Sequence, residues 1–96
     1  MFDERLREFL GDDFELLKKP AIYLKKEEKW RILQALLILF GAESEDNKII
    51  VFKEKEETSH IEQMITSIEP MLDITLTANF NNEKNYWELK IKNLND

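Results

Sequence analysis

His60 is the one histidine of this sequence, and it stands beside Ser59, Glu57 and Glu62. Its imidazole is the only side chain here whose ordinary titration falls near neutral pH. A histidine general base needs a nucleophile and an orienting acid within hydrogen-bond reach. Ser59 is adjacent in sequence, but adjacent residues of a helix point in different directions. His60 therefore reads as a solvated histidine at a helix start, and no catalytic residue is expected. The chain has no cysteine and only two glycines, Gly11 and Gly41, far apart. Thiol chemistry, zinc sites and phosphate-cradling loops need what is missing.

The carboxylates are numerous but not spaced as a site. Glu43, Glu45 and Asp46 lack the regular oxygen ligands and turn glycine of a calcium loop. Glu54, Glu56 and Glu57 alternate with Lys53 and Lys55, the pattern of a solvated face. No metal and no cofactor are expected. The two acidic groups flank one predicted strand, which places them near the ends of one sheet. Clustered negative charge of this kind steers association with a basic protein surface.

A basic stretch holds Lys18, Lys19, Lys25, Lys26, Lys29 and Arg31, with Tyr23 and Trp30 interleaved. Cations with aromatics can grip a phosphate backbone and stack on bases. Glu27 and Glu28 interrupt the run, and Trp30 also fits an apolar stripe. The apolar end of the same segment, Leu36, Leu39 and Phe40, is the candidate surface for self-association across a two-fold axis. Gln34, Leu37 and Phe40 resemble the outline of a sliding-clamp-binding peptide over seven residues, without its second aromatic, since Gly41 follows Phe40.

Periodicity supplies the elements. Asp3 can cap a short helix carrying Leu6, Phe9 and Leu10, stopped by Gly11. Asp12 and Glu15 have the spacing of a capping pair for a turn of helix over Asp13–Lys18. Pro20 then punctuates the chain, leaving Ala21–Leu24 open between link, short strand and first helical turn. Trp30, Leu33, Leu37 and Phe40 form one stripe of a helix over Lys25–Phe40, widened by Ile32, Leu36 and Leu39. Its last turns are apolar almost all round, which requires cover on several sides or a partner. Gly41 supplies a left-handed cap.

Glu43–Asn47 reads as an acidic loop and Lys48–Lys53 as a strand. Thr58 or Ser59 can cap the next helix, and Ser59 with Glu62 has capping-box spacing; the helix face is Ile61, Met64, Ile65, Ile68 and Leu72, with Pro70 marking its end or a frayed last turn. Ile74, Leu76, Ala78 and Phe80 alternate with Thr75, Thr77 and Asn79. Beyond an Asn-rich turn, Trp87, Leu89 and Ile91 alternate with Glu88, Lys90 and Lys92. This is the pattern of a β-hairpin with one apolar face. Leu94–Asp96 is expected to fray. The expected architecture is one α+β domain spanning 1–96. N-terminal helices lead into β-α-β-β, a small three-stranded, mainly antiparallel sheet with helices packed on one face. Helices followed by a hairpin resemble a winged-helix outline, with one helix between the first strand and the hairpin where two are usual.

Composition frames these readings. The 96 residues suit one domain, 43 % are hydrophobic, and the net charge of −6 is ordinary for a soluble domain of this size. The charge is uneven: net −4 over residues 1–15, +4 over 16–34 and −6 over 42–73. Nothing reads as a signal peptide, and Ala35–Phe40 is too short to span a bilayer, so a cytoplasmic location and no membrane partner are expected. The leading expectation is a small acidic, non-catalytic binding protein that modulates or inhibits a protein partner with a basic surface. A virus- or mobile-element-encoded inhibitor of a nucleic-acid enzyme is one form of it. Its contact residues would be Glu43, Glu45, Asp46, Glu54, Glu56 and Glu57. The alternatives are a nucleic-acid-binding module using Lys18, Lys19, Lys25, Lys26 and Arg31, and a homodimer through Leu36, Leu39 and Phe40.

Overall fold

A computed structural model of the chain describes residues 2–46 and 48–94, with side chains from residue 4 onward. Helix α1 (Phe2–Leu10) leads through a 3-10 helix (Gly11–Lys18) and a 3-10 turn (Ala21–Tyr23) into α2 (Lys26–Phe40). Strands β1 (Ala42–Glu45) and β2 (Lys48–Val51) follow, then α3 (Thr58–Leu72), β3 (Thr75–Asn81) and β4 (Tyr86–Lys92). The fold is α+β, as the periodicity implied. The antiparallel sheet has four strands rather than three, in the order β1-β2-β4-β3.

The additional strand is β1, where a loop was expected from Glu43 to Asn47. Its sequence, Ala-Glu-Ser-Glu, has no apolar alternation to announce it. What makes it a strand is the free edge of β2: Ala42 pairs with Val51, Glu43 with Ile50, Ser44 with Ile49 and Glu45 with Lys48. Asp46 enters the connecting turn at φ 56°, and Asn47 lies outside the described residues. β2 ends at Val51, two residues short of the expected Lys53, and Phe52 is exposed.

Helix α2 starts where expected. Glu28 Oε1 accepts the Lys25 N–H at 2.8 Å, the carboxylate half of a capping box. That hydrogen bond, with the Lys19 ammonium close by, holds the Glu28 carboxyl below its ordinary value. Gly41 ends the helix in the left-handed region, at φ 68° and ψ 35°. α2 packs against α1, α3 and β1, which is how a helix apolar almost all round is covered. Its apolar residue left most exposed is Ile38.

Other local expectations are corrected. Gly11–Lys18 is a 3-10 helix with no side-chain cap, so Asp12 and Glu15 do not act as a capping pair; Asp13 instead reaches across to Arg31. Ala21–Tyr23 forms a 3-10 turn closed by the Tyr23 N–H on the Pro20 carbonyl. α3 begins at Thr58 with Glu57 before it, so neither Thr58 nor Ser59 caps the helix and the Ser59–Glu62 box is unformed. Pro70 lies within α3, which continues to Leu72 and stops at Asp73 in the left-handed region, φ 52°. Leu94 is buried rather than frayed, because it closes onto the core, while Asn95 and Asp96 lie outside the described residues; Asp3 is not a cap, since α1 already begins at Phe2.

The core joins Leu6 and Leu10 of α1, Leu33 and Leu36 of α2, Met64, Ile68 and Leu72 of α3, and one face of the sheet. That face carries Ile49, Val51, Leu76 and Leu89. The opposite face carries the exposed Lys48, Thr75, Thr77, Asn79 and Lys90. A sheet covered on one side gives this alternation of apolar and polar residues along each strand.

Two outcomes test this packing. Leu36→Ala is expected to lower unfolding free energy by about 2–5 kcal/mol in a denaturant titration, while Ile38→Ala stays within roughly 0.5 kcal/mol. Because the carboxyl of Glu28 titrates below its unfolded value, its stabilising share is complete above about pH 4.5 and lost as pH falls from there toward the lowered value. Glu28→Gln should therefore lose less stability than the parent chain between pH 5 and pH 3, both measured by denaturant midpoint.

Candidate functional site

The sheet register distributes the acidic residues. Glu43 and Glu45 are exposed on edge strand β1, opposite Ile50 and Lys48, and therefore on the open face. Asp46 follows them in the turn. Glu54, Glu56 and Glu57 lie in the segment between β2 and α3. The two groups sit at opposite ends of β2, whose four residues span about 13 Å at roughly 3.3 Å per residue. They border one hairpin without forming one patch.

The second group is partly structural. The Glu54 N–H donates to Glu57 Oε2 at 2.8 Å, and the Glu57 N–H donates to the Glu54 carbonyl at 3.0 Å. The same carbonyl accepts Trp87 Nε1–H at 2.9 Å, which ties the turn to β4. Among the described residues, Glu43, Glu45 and Asp46 make no ion pair. They are the acids most open to an external cation.

The basic stretch is largely neutralised within the chain. Lys18 pairs with Glu15 at 3.0 Å, Lys19 with Glu28 at 3.4 Å, and Arg31 Nε with Asp13 at 2.7 Å. Lys25 is the residue before α2, and Lys26 opens the helix with its side chain exposed. Lys29 is 8 % exposed and so adds little to an outward basic surface. Tyr23 is exposed but Trp30 packs against the core, so cations and aromatics do not form one surface.

The proposed self-association surface is corrected for one residue. Leu36 is fully buried within its own chain, because α1, α3 and the sheet close around α2, and it cannot meet a copy. Leu39 and Phe40 are half-buried against the core. The outline resembling a sliding-clamp-binding peptide fails on the same ground, since Leu37 is 3 % exposed.

His60 is not a freely solvated helix-start residue. Its ring meets Phe40 edge to face, with centroids 6.1 Å apart, and its Nε2 is buried without a hydrogen-bond partner. No serine hydroxyl or carboxylate engages that nitrogen. Among the described residues no three His, Asp or Glu side chains converge as metal ligands, and no helix is long and apolar enough to cross a membrane.

One cluster was not visible in the sequence. Lys48 on β2 stands directly opposite Lys90 on β4, and Lys92 shares their face of the sheet. Ile91 and Asp46 complete the lining of a shallow depression of 340 Å³ there. Like charges on directly opposed residues weaken a sheet, so this open face tolerates a local strain. Period-two alternation puts Lys90 and Lys92 together; bringing Lys48 beside them takes the β2–β4 register. At the other end of this face Phe52 and Tyr86 meet edge to face, with centroids 5.6 Å apart, beside the buried Ile50.

No family model matches the chain, and no curated protein or solved structure matches it either.

The orphaned nitrogen gives a direct test of His60. An unsatisfied buried acceptor or donor costs about 1–3 kcal/mol, so His60→Phe, which keeps a ring against Phe40, should hold or raise unfolding free energy by up to about 1 kcal/mol. A loss greater than that in a denaturant titration would assign His60 a polar role.

Proposed function

We propose that this chain is a small non-catalytic binding domain that modulates a protein partner through its acidic β1 edge. One observation carries the reading: Glu43 and Glu45 on the edge strand and Asp46 in the turn after it are exposed and free of ion pairs among the described residues. The unpaired outer side of β1 offers main-chain groups to an extended segment, and its glutamates select a basic one. Glu54 and Glu56 extend the acidic border beyond the far end of β2, while Glu57 holds the turn.

A basic protein surface is the chemistry this edge fits. Surfaces of that kind commonly hold nucleic acid, and an acidic domain seated on one competes for it, which makes inhibition the expected form of modulation. The nucleic-acid-binding alternative draws less support, because Lys18, Lys19 and Arg31 already face Glu15, Glu28 and Asp13.

The test is affinity capture from native lysate, with and without nuclease, using four baits: the parent chain, the triple variant Glu43→Lys/Glu45→Lys/Asp46→Lys, the control Glu83→Lys, and a Lys18→Glu/Lys26→Glu variant. A protein retained by the parent and both controls, and weakened about tenfold or more in the triple variant, is the expected result; tenfold equals about 1.4 kcal/mol of binding. Equal recovery by the triple variant, or material lost from the parent on nuclease treatment, would overturn the reading.

A further inference from the structure

The two edges of the sheet are built differently. β1 places two glutamates in four residues and ends at Asp46, and charge on an edge repels another edge of the same kind. β3, at the other edge, reads Thr-Leu-Thr-Ala-Asn-Phe-Asn: seven residues without a charge, a proline or a glycine. In a chain whose residues are 35 % charged, this is a conspicuous gap. A long uncharged edge leaves a row of amides and carbonyls ready to pair.

The direction of those groups follows from one hydrogen bond. The Leu76 N–H donates to Glu69 Oε2 at 2.9 Å and so points away from β4. In an antiparallel ladder the direction alternates, so Thr75, Thr77 and Asn79 exchange hydrogen bonds with β4. Leu76, Ala78 and Phe80 turn their main-chain groups outward. Glu69 occupies the Leu76 amide, which leaves Ala78 and Phe80 with both their N–H and C=O available.

We propose that β3 pairs with β3 of a second copy of this chain, antiparallel about a two-fold axis at Asn79, to form one continuous eight-stranded sheet. Glu69 sets the register. A two-fold centred on Ala78 would oppose Leu76 to Phe80 and require the amide that Glu69 already holds. A two-fold centred on Asn79 opposes Ala78 to Phe80 twice, giving four main-chain hydrogen bonds with the Glu69 contact intact. On the core-side face each Phe80 ring then lies across from the small Ala78. On the open face Asn79 meets its own copy in a close, non-hydrogen-bonded pair, where two carboxamides can bond each other.

Charge favours a second copy at this edge and disfavours it at the other. Residues 74–96 carry three acids and three bases, so the net −6 lies elsewhere in the chain. Joined through β3, the two acidic β1 edges stand seven strand spacings apart, about 34 Å, well beyond the ~8 Å Debye length of physiological salt. Joined through β1, four glutamates would meet. The contact is a single strand pair and falls below the roughly 1,200 Å² of a stable complex, so the dimer is weak, with dissociation expected between about 10 μM and 1 mM.

Sedimentation equilibrium across that concentration range is the test, on the parent chain, Asn79→Lys, and an equimolar mixture of Asn79→Lys with Asn79→Glu. Asn79 is exposed and lies opposite Glu88 within its own chain, so the lysine variant retains its fold, checked by circular dichroism. The parent should move from one chain mass to two. Asn79→Lys should remain at one, because the two-fold sets two ammonium groups against each other. The mixture should regain the doubled mass. A parent chain that stays at one mass throughout, a lysine variant that dimerises like the parent, or masses that grow beyond two would each overturn the proposal.

Discussion

The β2–β4 ladder is the interaction on which this fold depends. Four pairs, Lys48 with Lys90, Ile49 with Leu89, Ile50 with Glu88 and Val51 with Trp87, join the β1–β2 hairpin to the β3–β4 hairpin. The ladder brings together residues far apart in sequence, with α3 and β3 lying between them in the chain. Ile49, Val51 and Leu89 are all fully buried, so the ladder is itself part of the hydrophobic core. The hydrogen bond from Trp87 Nε1 to the Glu54 carbonyl closes the end of the ladder and fixes where the chain leaves the sheet for α3.

Helix α2, helix α3 and the β3–β4 hairpin were legible because each repeats its apolar residues at the period of its own geometry. β1 was illegible for the converse reason: all its side chains are small or acidic, and only pairing with Ile49, Ile50 and Val51 makes it a strand. The capping pairs did not form. Glu15 bonds Lys18 rather than closing a box with Asp12, and α3 starts one residue before Ser59.

The candidate surfaces divide the same way. That Glu43, Glu45 and Asp46 are exposed followed from composition; that they border an edge strand followed only from the register. Lys18 pairs with Glu15 within one turn, but the neutralisation of Lys19 and Arg31 depends on how the 3-10 segment folds back toward α2, which no local pattern encodes. Long-range pairing likewise decides that Lys48 stands opposite Lys90. Local sequence specifies which residues are exposed, and non-local contact specifies which exposed residues become neighbours.

The burial of β1 bears on the order in which the molecule opens. Ala42 is its only partly covered residue, and the remaining side chains are in solvent. The strand is held by main-chain hydrogen bonds to β2 and by its tether through Gly41 to α2. Structure with so little apolar anchorage opens locally at far lower free energy than the whole molecule unfolds. β1 can thus peel away while the β2–β4 ladder stays closed, and its departure uncovers the β2 edge, whose residues Ile49, Ile50 and Val51 are a strongly strand-forming run. The acidic strand is in this sense a removable guard over an apolar, strand-forming edge.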